Sequence, residues 1–181
     1  YCQRMATYRA VDFTDLIINA IELLRRPEVA QRVASQHSHI LVDEFQDVTE
    51  LQFLLLEAVG SHRRITVVGD DDQSIYSFAG AENGVCEKFS KRFAPIDCVQ
   101  LGKNYRSQPN IVTACCELIK HNHARLGKTL WSGLPEGARV RVVECRTPQC
   151  ETSSIVRQMK SRHDGGCPWD SMAVLVRTRA L

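Results

Sequence analysis

The sequence contains no apolar run approaching 18 residues and no basic N-terminal stretch leading into an apolar one, so neither a membrane-spanning helix nor a signal peptide is expected in it. It also lacks a charge excess. Its 23 Lys+Arg stand against 21 Asp+Glu for a formal net charge of +2, too balanced to mark a nucleic-acid binder by bulk electrostatics. None of the eight cysteines, at 2, 86, 98, 115, 116, 145, 150 and 167, forms a C-x-x-C pair, which argues against a disulfide framework or a zinc site and for reduced thiols in an intracellular protein. There is no internal repeat and no low-complexity tract. With 44% hydrophobic residues in 181, the chain has enough apolar material for a real core, as one ordinary domain or parts of two, and intrinsic disorder is not expected. Charge does divide along the chain. Residues 1–106 carry a net −3 and residues 107–181 a net +5.

Periodicity supplies the elements. Asp12 and Thr14 precede Leu16, Ile17, Ala20, Ile21 and Leu24, whose spacing predicts one buried helical face, ended by Pro27. Ile40-Leu41-Val42 reads as a strand buried on both faces that stops at Asp43 and Glu44. Thr49 with Gln52 is a capping-box signature opening a helix through Val59, with Gly60 as its stop. The order repeats in Ile65 to Val68, a second buried strand running into Gly69 and Asp70-Asp71-Asp72. A third strand is expected at Val99 to Leu101, followed by a helix opened by Ser107 and Pro109 and reaching His121. Trp131 to Gly137 reads as a loop, and Val140–Cys145, Ser153–Met159 and Ala173–Val176 as strand, helix, strand. Alternation of this kind predicts an α/β fold with a largely parallel sheet. Because the chain begins at Tyr1 and stops inside the last expected strand, a partial sequence is expected.

In such folds ligands bind beyond the carboxyl ends of the strands, where acids 43, 44 and 70 fall. An aspartate there can hold magnesium through oxygen, and an adjacent glutamate can orient or deprotonate a water attacking a phosphoryl group. An isolated Asp-Glu pair is more often solvated, so the surrounding string decides. Val42-Asp43-Glu44-Phe45-Gln46-Asp47 resembles the Walker B motif of superfamily 1 helicases of the UvrD/PcrA/Rep family. The run from Val68-Gly69-Asp70-Asp71-Asp72-Gln73 through Tyr76, Phe78 and Ala81 is similar to helicase motif III, and Leu101 to Ser107 to motif IV. Asp12 to Ile17 and Trp131 to Gly137 are also similar to family segments, so the resemblance covers nearly the whole chain.

The resemblance implies a parallel-sheet, RecA-like (P-loop NTPase) helicase core, with residues 1–106 as the later part of a first RecA-like domain and 107–181 as the opening of a second. It implies ATP between them, Asp43 on Mg2+, Glu44 on the attacking water, Gln73 sensing the γ-phosphate, Tyr105 stacking on adenine and Arg106 on the γ-phosphate. Tyr76 and Phe78 are the expected contacts to single-stranded DNA, where an aromatic face accepts any base. Phe78 stands where bacterial members usually carry Trp, and Ser77 and Ala79 where they carry Arg, which removes local positive charge and is more like the eukaryotic, anti-recombinase-like branch.

Gly127-Lys128-Thr129 mimics the end of a phosphate-binding loop, but position 122 is Asn122 rather than glycine, and no strand leads in, so a surface loop is expected. His121-Asn122-His123 is expected to be solvated rather than a metal pair. The implied activity is ATP-dependent 3′–5′ helicase or translocase action on single-stranded DNA and duplex junctions, in the nucleus if eukaryotic or the cytoplasm if bacterial. These 181 residues contain neither the phosphate-gripping loop nor the arginine-bearing motif VI, so the chain alone is expected to be inactive. The alternative is a non-catalytic truncated product that binds single-stranded DNA or a protein partner.

Overall fold

The computed structural model describes residues 1–60, 64–75, 80, 84–122 and 127–176. The chain divides into two compact units, Tyr1–Glu136 and Gly137–Leu181.

In the first unit, α1 (Cys2–Tyr8) precedes α2 (Phe13–Leu24). A capping box opens α2: Asp12 Oδ1 accepts from the Asp15 amide at 2.7 Å, and Asp15 Oδ2 accepts from the Asp12 amide at 3.2 Å. Ile17, Ala20, Ile21 and Leu24 are half-buried, but Leu16 is exposed, so the apolar stripe is narrower than expected. Pro27 does not end α2. It occupies the first turn of α3 (Pro27–Gln36), where a missing N–H costs nothing, and α2 has already stopped at Leu24.

β1 (His39–Val42) and β2 (Arg64–Val67) pair in parallel with Ile40 beside Ile65 and Val42 beside Val67. Between them lies α4 (Glu50–Gly60), opened by the Thr49–Gln52 capping box: the Gln52 amide donates to Thr49 Oγ1 at 3.3 Å and the Thr49 amide to Gln52 Oε1 at 2.8 Å. The strands are not buried on both faces. Ile40, Val42, Ile65 and Val67 turn towards the core, while Leu41 is 76% exposed. The alternation is that of a sheet covered on one side among the described residues.

The core is Phe45, Phe53, Leu56, Val85 and Phe89, supplied by α4, by the turn after β1 and by α5 (Val85–Arg92). Phe45 is fully buried, its ring edge-on to Phe89 at 5.3 Å between centroids. Ion pairs Lys88–Glu50 and Arg92–Glu57 tie α5 to α4 on the outside.

Past α5 the expected strand at Val99 to Leu101 is absent: both residues are 79% exposed and unpaired in any sheet. Pairing begins instead at β3 (Lys103–Asn104), parallel to β4 (Trp131–Ser132), so Trp131 and Ser132 are strand rather than loop. The Trp131 amide donates to the Gly102 carbonyl at 3.0 Å, and a Cβ on Gly102 would meet the Thr129 carbonyl oxygen at 2.7 Å. That close approach fixes where the strands can meet. α6 (Pro109–Ile119) follows β3 with Pro109 in its first turn.

The second unit is built on α7 (Pro148–Asp164), capped by Thr147 Oγ1 accepting from the Cys150 amide at 3.1 Å. It is longer than the helix expected at Ser153–Met159. The strands expected at Val140–Cys145 and Ala173–Val176 do not form. Val142 and Leu175 are almost wholly exposed, and an extended segment without a hydrogen-bonded neighbour has no ladder to join. The fold is mixed α/β with small parallel sheets. Among the described residues, no helix is long and apolar enough to cross a membrane.

Candidate functional site

β1 and β2 carry their acids to the same end of the sheet because the strands are parallel and in register. Pairing continues past their ends, with the Val68 amide donating to Val42 O at 2.8 Å and the Phe45 amide to Val68 O at 2.9 Å. The chain between, Asp43-Glu44, must therefore make a tight excursion. Glu44 adopts φ 50°, ψ 42°, a left-handed conformation uncommon outside glycine and asparagine, and the buried Phe45 ring holds it there. Asp43 and Glu44 are both exposed, and Asp43 Oδ1 accepts from the Glu44 amide at 2.9 Å.

Gln46 is 3% exposed and joins the two strand ends. Its Nε2 donates to Glu44 Oε2 at 2.7 Å, and its Oε1 accepts from the Asp70 amide at 2.9 Å. Gly69 permits that approach, since a Cβ there would lie 2.8 Å from Gln46 Oε1 and 3.2 Å from its backbone nitrogen.

Asp70 then caps the 3-10 turn Asp71–Gln73 by accepting from the Asp72 amide at 3.0 Å. Its Oδ2 accepts from Gln73 Nε2 at 2.7 Å, and its Oδ1 is paired with Lys128. Lys128 also stands 3.3 Å from Asp72 and 3.8 Å from Asp71. Burial works against ionisation of Asp70, but hydrogen bonds from Lys128 and Gln73, the lysine charge and the Asp72 amide outweigh it and hold the carboxyl below its ordinary value. Burial likewise opposes the charge on Lys128, and the bonds and charges of Asp70 and Asp72 outweigh that too, raising its ammonium above the ordinary value. The acidic triplet has the donor spacing of a cation site, and here the cation within it is Lys128.

The expected site residues thus fall into three groups. Asp43, Glu44 and Gln73 are joined through Gln46 and Asp70. Tyr105 and Arg106 follow β3 on the other sheet, in a turn where Asn104 Oδ1 accepts from the Arg106 and Ser107 amides at 2.9 and 2.7 Å. Tyr105 is 75% exposed with Lys103 Nζ 4.8 Å from its ring centre, and no hydrogen bond or ion pair among the described residues joins Tyr105 or Arg106 to Glu44 or Gln73. Tyr76 and Phe78 lie outside the described residues, as does His123. Sequence reasoning missed Gln46 and Lys128. Lys128 was expected on a surface loop, yet its side chain is only 16% exposed because three carboxylates surround it.

An α/β chain whose parallel strands deliver acid-bearing loops to one sheet end defines the class. A family model described as the UvrD/REP helicase N-terminal domain matches residues 1–94, and one described as the UvrD-like helicase C-terminal domain matches residues 99–181. The chain belongs to the UvrD/REP helicase family. Similar relatives include the ATP-dependent DNA helicases PcrA of Staphylococcus aureus (strain Mu50) and Staphylococcus epidermidis (strain RP62A), each 34% identical over 182 aligned residues. The alignment takes in 99% of this chain and 25% of each relative, so the chain spans about a quarter of their length.

Proposed function

We propose that this chain carries the ATP-hydrolysing and strand-gripping centre of an ATP-dependent 3′–5′ DNA helicase, working within a polypeptide of its relatives' length. Residues 1–106 then belong to a first RecA-like domain and 107–181 to a second, a division in keeping with the two family models meeting between residues 94 and 99. The observation that carries the reading is the bonded path from Glu44 through Gln46 to Asp70 and Gln73, which links the carboxylate suited to activating water with the amide suited to sensing a γ-phosphate.

In that reading Glu44 orients the attacking water and takes its proton, with one carboxylate oxygen held by Gln46. Asp43 fits a magnesium ion by its chemistry: it is an exposed hard oxygen donor at a strand end, with Oδ1 engaged by an amide. The ion would neutralise charge on the phosphate oxygens. Gln73 reports the γ-phosphate as an uncharged amide, Arg106 meets phosphate charge with its guanidinium, and Tyr105 offers an exposed ring to adenine. Tyr76 and Phe78 stack on bases of single-stranded DNA.

The test separates the two neighbouring acids. Glu44→Gln in the whole helicase is expected to retain nucleotide and magnesium binding and to lose single-turnover hydrolysis on the order of 100 to 10,000-fold, the usual worth of a general base. Asp43→Asn is expected to weaken the magnesium–nucleotide complex itself. Near-normal hydrolysis in Glu44→Gln would remove Glu44 from catalysis, and unaltered magnesium dependence in Asp43→Asn would remove Asp43 from the metal.

A further inference from the structure

We infer that Gln46 is the positioning residue for the Glu44 carboxylate, tying its aim to the loop that carries Asp70 and Gln73. The inference rests on the hydrolytic reading of Glu44 above. Gln46 sits between two demands of opposite sense. On one side a carboxylate oxygen needs a donor, supplied by Nε2 at 2.7 Å. On the other a backbone N–H needs an acceptor, supplied by Oε1 at 2.9 Å. A primary amide meets both at once, whereas a carboxylate only accepts and an ammonium only donates.

Burial makes the arrangement stiff. With Gln46 3% exposed, its amide is shielded from water, and Gly69 closes over the amide oxygen so that the side chain cannot rotate away without losing contact with Asp70. The Ser74 hydroxyl adds a long bond, 3.4 Å, to the Gln46 carbonyl from the same loop. Glu44, by contrast, is exposed and lies on a left-handed residue at the tip of an excursion, so its carboxylate has no packing to aim it. Among the described residues, Gln46 is the side chain that donates to the Glu44 carboxylate. Displacement of the Asp70–Gln73 loop therefore moves the amide, and the amide moves the carboxylate oxygen it holds.

Three variants of the whole helicase test this by single-turnover ATP hydrolysis with DNA present. Gln46→Met keeps the side-chain volume and loses both bonds; kcat is expected to fall about 10 to 100-fold, the usual effect of removing a supporting hydrogen-bond partner, with KM for ATP within about twofold. Gln46→Glu places an acceptor against the Glu44 carboxylate at neutral pH but a donor once that new carboxyl is protonated. Its deficit relative to the parent protein is expected to be largest near pH 8 and to shrink towards pH 5.5. Gln46→Met combined with Glu44→Gln is expected to be no slower than Glu44→Gln alone, since Gln46 acts through Glu44. Losses that multiply in the double variant, or a pH-independent deficit in Gln46→Glu, would make Gln46 a structural residue only. Parental kcat in Gln46→Met overturns the inference while leaving Glu44 in place. Parental turnover in Glu44→Gln overturns the hydrolytic reading itself.

Discussion

At Glu44, backbone and side chain have different requirements, and they can be separated. The left-handed backbone costs a residue with a Cβ on the order of 1 to 2 kcal/mol, and this cost is imposed by the paired strand ends and by Phe45 rather than by the carboxylate. Glu44→Gly and Glu44→Ala both delete the carboxylate, so comparing them isolates the backbone. Glu44→Gly is expected to be the more stable by about 1 kcal/mol, measured by thermal or denaturant unfolding, although glycine is the worse residue in ordinary extended or helical structure. The opposite order would mean that the fold does not impose the left-handed turn. What could be read from the sequence at this scale was chemistry by residue type: Asp43, Glu44 and Gln73 are residue types suited to the proposed hydrolysis. The partners that hold them were not legible. Gln46 and Asp70 are 24 positions apart, and only parallel pairing of β1 with β2 makes the side chain of one the acceptor for the backbone of the other.

Elements were legible where the sequence alone satisfies them. The Asp12 and Thr49 capping boxes close on their own neighbours and appeared as expected. Strands at Val99–Leu101, Val140–Cys145 and Ala173–Val176 were apolar enough but depended on a neighbour that periodicity cannot supply. α5 went unread although Val85 and Phe89 are four apart, because only those two residues of its short, charged sequence are buried. The segment before β4 shows the same dependence on tertiary partners. It runs beside Gly102, and its Lys128 enters the acids after β2. Asp70 is held below its ordinary value, so its contribution to stability is present above about pH 4 and is lost as pH falls through its lowered folded value. Lys128 is held above its ordinary value, so its contribution is complete below about pH 10 and is lost as pH rises through the raised one. Lys128→Met is therefore expected to destabilise by roughly 1 kcal/mol between pH 5 and 9, between the limits for exposed and buried pairs. The difference in unfolding midpoint from the parent protein should narrow as pH falls through the lowered value of Asp70 and that carboxyl protonates. A difference that stays constant to pH 2.5 would show that Lys128 stabilises by packing rather than by charge.

Over the whole chain, the proposed function assigns groups to a γ-phosphate and an aromatic to adenine, but the 181 residues contain no glycine-rich loop ending in Gly-Lys-Ser/Thr to cradle the β- and γ-phosphates. Gly127-Lys128-Thr129 cannot take that part: Lys128 is already committed to Asp70 and its neighbours, and a loop of this kind binds through backbone N–H groups at a helix N-terminus, whereas residues 127–130 lead into β4. Water activation without phosphate binding gives no turnover, because the two reactants are never held in line. The purified 181-residue chain is accordingly expected to show no DNA-stimulated ATP hydrolysis above that of its own Glu44→Gln variant prepared in parallel, a comparison that cancels any co-purifying helicase. Hydrolysis present in the parent chain and absent from Glu44→Gln would mean that residues within these 181 bind the phosphates by another arrangement and that the missing loop was misread.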